Sequence, residues 1–249
     1  MTQPDLAHLD CPDGKRLAYR IRPGRSPTIL FLPGYASDME GAKAVAVDVL
    51  AARLGLAMLR FDYSGTGSSS GDFEEGTLEA WLDQTLMMID RLTDGPLILV
   101  GSSMGGWLAL LAALRRPPRV EAMVGIAAAP DFTDWGFTDP QKRTLAATGR
   151  IERPNPYGPE PQLTTRGFWQ SGERLRLLDS PVAIDCPVRL IHGDADEDVP
   201  IDIAFRLMRG LRSADVQLLA IKGGGHRLSE PHEIDAILRT VAALTEPAR

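Results

Sequence analysis

The 249-residue sequence is short of cysteine, of basic charge and of long apolar runs, and each shortage closes off a class of function. Cys11 and Cys186 are its only cysteines, each is followed by proline, and they form no C-x-x-C pair. A disulfide framework and a cysteine-held metal cluster are therefore excluded, and a reducing compartment, the cytoplasm, is the expected location. Lys and Arg number 27 against 33 Asp and Glu, a net charge of −6. Without a cationic surplus, neither nucleic acid nor an anionic membrane surface is an expected partner. The longer apolar stretches, such as residues 108–114, fall well short of the roughly 20 residues that span a bilayer. Residues 1–11 lack a basic start leading into an apolar run, so no secretory leader is expected. No spacing of His, Cys and carboxylates suggests a metal, and no metal or organic cofactor is expected.

What is present is a chain 44% hydrophobic and 24% charged, which suits one globular domain with an insertion. Short apolar or β-branched runs at 28–31, 57–61, 97–100, 122–127, 188–191 and 216–221 alternate with helical spacings at 42–54, 78–92, 104–115, 202–211 and 231–244. That alternation predicts an α/β fold with a mostly parallel central sheet flanked by helices. Residues 16–21 read as an additional antiparallel edge strand, joined to the next through the Pro23, Gly24, Pro27 turn cluster. The rhythm breaks at 131–185, where Pro154, Pro156, Pro159 and Pro161 crowd together and no strong strand pattern occurs. This stretch reads as a lid inserted between a core of 1–130 and 186–249. It also carries Phe132, Trp135, Phe137, Tyr157, Phe168 and Trp169, which suits either an apolar binding wall or the insertion's own small core.

G-x-S-x-G occurs twice, and context separates the two. Gly101-Ser102-Ser103-Met104-Gly105 follows directly on the strand 97–100 and runs into the helix that begins at Met104, the sharp turn that lifts a serine hydroxyl above a sheet. Gly67-Ser68-Ser69-Ser70-Gly71 lies in a polar loop five residues past a strand and reads as a flexible turn. Ser103 is thus the candidate nucleophile, and it needs a base and a carboxylate to orient that base. Of four histidines, His8 is in the N-terminal stretch, His232 opens the last helix, and His192 ends a strand and is expected to pack below the site. His226, after Gly223-Gly224-Gly225 and the last strand, is the candidate base. The acid is expected between serine and histidine in the chain, which selects the loop 192–200. Asp196 is the choice there, ahead of Asp198 and Asp194, with Asp131 more remote. The oxyanion donors expected are the amides of Met104, following the nucleophile, and Tyr35, in the Pro33-Gly34-Tyr35 turn after an early strand.

These segments, together with Arg60-Phe61-Asp62-Tyr63-Ser64-Gly65-Thr66-Gly67, Gly105-Gly106-Trp107 and the stretch from His192-Gly193 through Asp196 to Val199-Pro200, resemble the α/β-hydrolase superfamily. With Glu75-Gly76-Thr77 before Trp81 and Asp185-Cys186-Pro187 before the acid loop, the chain from Phe31 to His226 is similar to the mitochondrial α/β-hydrolase-domain esterases that remove S-palmitoyl groups and cleave acyl glucuronides. The resemblance implies an α/β-hydrolase fold, with Ser103, Asp196 and His226 at the catalytic positions. The expectation is a serine hydrolase of carboxylic esters or thioesters, small or protein-linked, acting through an acyl-enzyme. Acyl transfer, C–C bond hydrolysis and a catalytically silent binding protein are alternatives on the same fold. Trp107, Met39, Phe132, Trp135, Phe168 and Trp169 are expected to line the acyl side. Acyl-chain length and oligomeric state are left open.

Overall fold

A computed structural model describes residues 2–156, 158–159 and 161–245; Tyr157, counted among the lid aromatics, lies outside them. In chain order the elements are β1 (Ala7–Asp10), β2 (Arg16–Arg22), β3 (Arg25–Leu32), α1 (Ala42–Leu54), β4 (Leu56–Phe61), α2 (Leu78–Leu92), β5 (Leu97–Ser102), α3 (Met104–Arg115) and β6 (Val120–Ile126). They continue with α4 (Phe132–Trp135), α5 (Asp139–Thr148), β7 (Arg150–Arg153), β8 (Gln162–Thr165), α6 (Arg166–Arg174), β9 (Val188–Gly193), α7 (Ile201–Gly210), β10 (Val216–Ile221) and α8 (Pro231–Leu244).

Eight strands form one sheet in the order β1-β2-β4-β3-β5-β6-β9-β10, parallel from β4 to β10 and antiparallel only where β1 meets β2 and β2 meets β4. The strand expected at the antiparallel edge, β2, is one place in, because β1 adds to it with Ala7 opposite Tyr19. β1 has four residues alternating between exposed and half-buried positions, too short and too polar a run to read as a strand.

The central strand β5 is buried along its whole length, and its alternation serves two cores. Leu97 and Leu99 pack with residues of α2 and α3, among them Trp81, Leu82, Trp107 and Leu111. Ile98 and Val100 point the other way, with Val47 of α1 and Ile237 and Val241 of α8. The helices end where local chemistry dictates. Thr77 caps α2 by accepting from the Ala80 N–H at 3.1 Å, and Gly55 closes α1 at φ 67°, where a side chain would be strained.

Between β6 and β9 the chain leaves the sheet and builds α4, α5, α6 and an antiparallel hairpin, β7 with β8, in which Arg150 faces Thr165. The hairpin corrects the expectation of no strand structure in this segment. Its two strands read Arg-Ile-Glu-Arg and Gln-Leu-Thr-Thr, with almost no apolar alternation to announce them. The excursion is tied at its neck by Asp131, whose carboxylate accepts the Leu177 and Leu178 N–H groups at 2.8 and 2.7 Å. A role for Asp131 as the acid is thereby replaced by a structural one.

Candidate active site

Ser103 stands at the junction of β5 and α3 with φ 54° and ψ −120°, a conformation that a non-glycine residue adopts only when its surroundings impose it. They do so through three backbone hydrogen bonds: the Ser103 N–H donates to Ile126 O, and its carbonyl accepts from Gly106 and Ala129. The flanking glycines are there for space. A Cβ on Gly101 would come within 2.2 Å of the Gly105 carbonyl oxygen, and one on Gly105 within 2.0 Å of Leu32 O. The other match to the motif is a staple: Ser69 Oγ donates to Asp62 O at 2.7 Å and accepts from the Ala18 N–H at 2.8 Å.

His226 arrives on the loop after β10, and this loop is pressed onto the one after β9. A Cβ on Gly193 would lie 2.0 Å from Gly224 O, the Ala195 N–H donates to that oxygen, and the Gly223 N–H donates to Asp194 Oδ1 at 2.6 Å. Asp194 is thus a loop tie. The result is a chain of hydrogen-bonded side chains: His226 Nδ1 lies 2.9 Å from Asp196 Oδ2, and His226 Nε2 lies 3.1 Å from Ser103 Oγ.

Protonation follows from the acid. Burial opposes ionisation of Asp196, but hydrogen bonds from His192, His226 and the Val199 N–H, with the attraction of His226, outweigh it and hold the carboxyl well below the usual carboxylate range. Ionised Asp196 can only accept, so His226 Nδ1 carries the proton and Nε2 is left with a lone pair toward Ser103. His192 is fully buried, as expected, yet it is more than packing: its Nε2–H donates to Val199 O at 2.8 Å, and that nitrogen lies 3.4 Å from the same Asp196 oxygen. This contact joins residues four apart on a curled loop, which no helical or strand periodicity signals. His8 and His232 are exposed, and neither lines the cavity over Ser103.

Tyr35 and Met104 bracket the serine, and among the described residues neither backbone N–H has a protein acceptor. Gly34 brings this turn close; a Cβ there would lie 3.3 Å from Ser102 O and 3.4 Å from Ser103 Cβ. The Tyr35 hydroxyl donates to Leu163 O of β8 at 2.7 Å, so the turn is bound to the inserted hairpin, and burial pushes the phenol up.

A cavity of about 910 Å³ opens over Ser103 and His226. Phe132 and Trp135 line it as expected, with Tyr35 and Phe73. Met39, Trp107, Phe168 and Trp169 do not line it, which corrects the expected acyl wall. Met39 and Trp107 are fully buried, and Phe168 sits behind the wall with its ring against Tyr35 and Phe132. Trp107 meets Phe132 edge-on from the core side, and Trp169, the next residue on helix α6, turns away and donates to Thr133 O. Polar residues missed in the sequence, Lys43, Gln141, Arg153 and Gln162, share the cavity wall. Asp196, Asp198 and His226 place three ligand atoms within 4.8 Å of one another, but the His226–Asp196 pair is already committed to the relay toward Ser103.

A sheet of this order with a strained serine at the end of β5 and a histidine after β10 defines a hydrolase of the α/β class. The profile of the alpha/beta hydrolase fold matches residues 27–150. The human palmitoyl-protein thioesterase ABHD10, mitochondrial, is 40% identical over 245 residues, covering 97% of this chain and 80% of that protein. The solved structure of mouse alpha/beta hydrolase domain-containing protein 10 superposes with a TM-score of 0.90 at 38% identity, covering 96% of this chain and 98% of that one. A solved hydrolase from Agrobacterium vitis S4 gives 0.92 at 38%, covering 97% and 99%. The chain belongs to the α/β-hydrolase family, alongside the ABHD10 proteins. The expected cytoplasmic location is overturned by these relatives, since the human, cattle and mouse proteins are all named as mitochondrial.

Proposed function

We propose that this protein is a serine hydrolase that cleaves carboxylic esters or thioesters through a covalent acyl-enzyme, with Ser103, His226 and Asp196 as its catalytic residues. The observation that carries the reading is the unbroken relay from Asp196 through His226 to Ser103, open to one cavity. Ser103 Oγ attacks the acyl carbon while His226 Nε2 takes its proton. The carbonyl oxygen becomes an oxyanion held by the Tyr35 and Met104 N–H groups, and Asp196 stabilises the imidazolium. Collapse of the tetrahedral intermediate breaks the bond to the leaving oxygen or sulfur, which takes the proton from His226. Water, deprotonated by the same nitrogen, then releases the acid and restores Ser103. Residues 131–185 act as a lid whose Phe132 and Trp135 give the acyl group an apolar wall. The S-acyl substrates named for the ABHD10 relatives support including thioesters.

The test is hydrolysis of p-nitrophenyl esters and S-acyl thioesters of graded chain length by wild type, Ser103→Ala and Ser69→Ala. The expected outcome is a fall in kcat of about 10³-fold or more in Ser103→Ala alone. Activity that survives Ser103→Ala refutes the assignment.

A further inference from the structure

Two cations on the cavity wall have no part in this scheme. Arg153, the last residue of β7, lays its guanidinium 4.4 Å from the centroid of the Phe137 ring. Its Nη1 donates to Gly136 O at 3.0 Å and its Nη2 to Gln162 Oε1 at 3.4 Å, while among the described residues its buried Nε has no acceptor. Lys43, near the start of α1, gives one N–H to Arg227 O. Among the described residues no carboxylate lies within 4.0 Å of either head group. Elsewhere, exposed arginines such as Arg174 and Arg212 sit on carboxylates even where water would serve as well. Of the other charged groups on the wall, Asp198 lies beyond ion-pair distance but near enough for its charge to act on Arg153, Asp198 and Arg227 each have further interactions, and Asp38 accepts from the Glu40 N–H. Burial pulls both cations toward their neutral forms, and with the neighbouring Arg227 it brings Lys43 down to about 8.

A half-buried cation with an unmet donor is a standing cost, and it is relieved by an anion that brings its own acceptors. We propose that Arg153, assisted by Lys43, binds an anionic group of the substrate, a carboxylate or phosphate attached to the ester or thioester cleaved at Ser103. The inference rests on the hydrolase reading of Ser103 and adds a charge requirement to it. A guanidinium makes charge-assisted, fork-shaped hydrogen bonds to either anion, so the wall selects for charge before it selects for chain length. The polar side of the cavity, with Gln141 and Gln162, surrounds that anion, and the Phe132–Trp135 side takes the acyl chain.

The experiment compares kcat/KM within matched sets. p-Nitrophenyl butyrate is set against p-nitrophenyl hemiglutarate, which carries its charge on the acyl side. The S-butyryl thioester of mercaptoethanol is set against those of thioglycolate, phosphopantetheine and thiocholine, which place a carboxylate, a phosphate and a cation on the leaving side. At least one anionic member is expected to exceed its neutral partner by about tenfold or more, with thiocholine the poorest, and the winning member identifies the anion and its side. Arg153→Gln lowers that anionic-to-neutral ratio at least about tenfold, and Arg153→Lys recovers part of it. Labelling of Ser103 by a fluorophosphonate reports that each variant is folded. Labelled, active wild type with no preference for any anionic member overturns the anion site alone, as does a preference that survives Arg153→Gln. Wild type that is unlabelled and inert on every member overturns the hydrolase reading, and this proposal with it.

Discussion

At Ser103 a single residue carries strain of about 1–3 kcal/mol because its neighbours leave it no other conformation, and the glycines beside it are the means. Gly105→Ala puts a methyl group against the Leu32 carbonyl and is expected to cost about 3 kcal/mol or more in urea denaturation and to abolish labelling of Ser103. At Gly225, two positions beyond the positive-φ Gly223, an added methyl group would meet nothing within 4 Å, so Gly225→Ala is expected to stay within about 0.5 kcal/mol. Asp196 supplies a pH test. Its carboxyl is held below the ordinary range in the folded chain, so ionised Asp196 adds stability that is complete above the unfolded carboxylate pKa and is lost as pH falls toward the folded value. The stability difference between wild type and Asp196→Asn is therefore expected to shrink from about pH 6 to about pH 2. A difference that stays constant would remove the role given to the ionised carboxylate. The same substitution is expected to lower kcat by about 10⁴-fold, because an amide favours the wrong tautomer of His226.

The elements of the core hold the serine, histidine and acid loops, and the inserted elements hold the cavity wall. The two sets are joined by the Tyr35 hydroxyl on Leu163 O, the Ser171 hydroxyl accepting from the Glu79 N–H, Arg174 on Glu79, the Trp107 indole on Leu175 O and the Phe168 ring against Trp81, while the Asp131 carboxylate on the Leu177 and Leu178 N–H groups closes the insertion at its neck. Asp131→Ala strands two backbone donors at a position with φ 59° and is expected to cost about 3 kcal/mol, with faster proteolysis inside residues 131–185. Asp131→Asn keeps one acceptor and tolerates the left-handed backbone, so about half that loss is expected. The helices of the core could be read to within a residue because each has a wide apolar face; α1, α2, α3 and α8 span the residues their spacing marks. The β7–β8 hairpin had no such signal, since strands lying on a polar cavity wall have no buried face to write into the sequence.

Across the whole molecule, the sheet divides the interior into two cores, and β5 feeds both. Ile98→Ala and Leu99→Ala point to opposite faces, and both are expected to lose about 2–5 kcal/mol by thermal or urea denaturation. A half-buried strand would show the loss at only one of the two. The sequence alone determined the layered α/β fold, the elbow at Ser103, and the choice of His226 and Asp196, because each depends on local spacing: a strand run into a glycine turn, a helix period, an order along the chain. Tertiary structure alone decided which aromatic residues meet the cavity, that His192 touches the acid, that β1 covers β2, and that Arg153 and Lys43 share the cavity with the serine. Whether they link residues four apart, as His192 and Asp196, or segments tens of residues apart, these contacts are set by how loops curl and layers pack. A residue's type says that it will be buried or charged, and only the packing says against what.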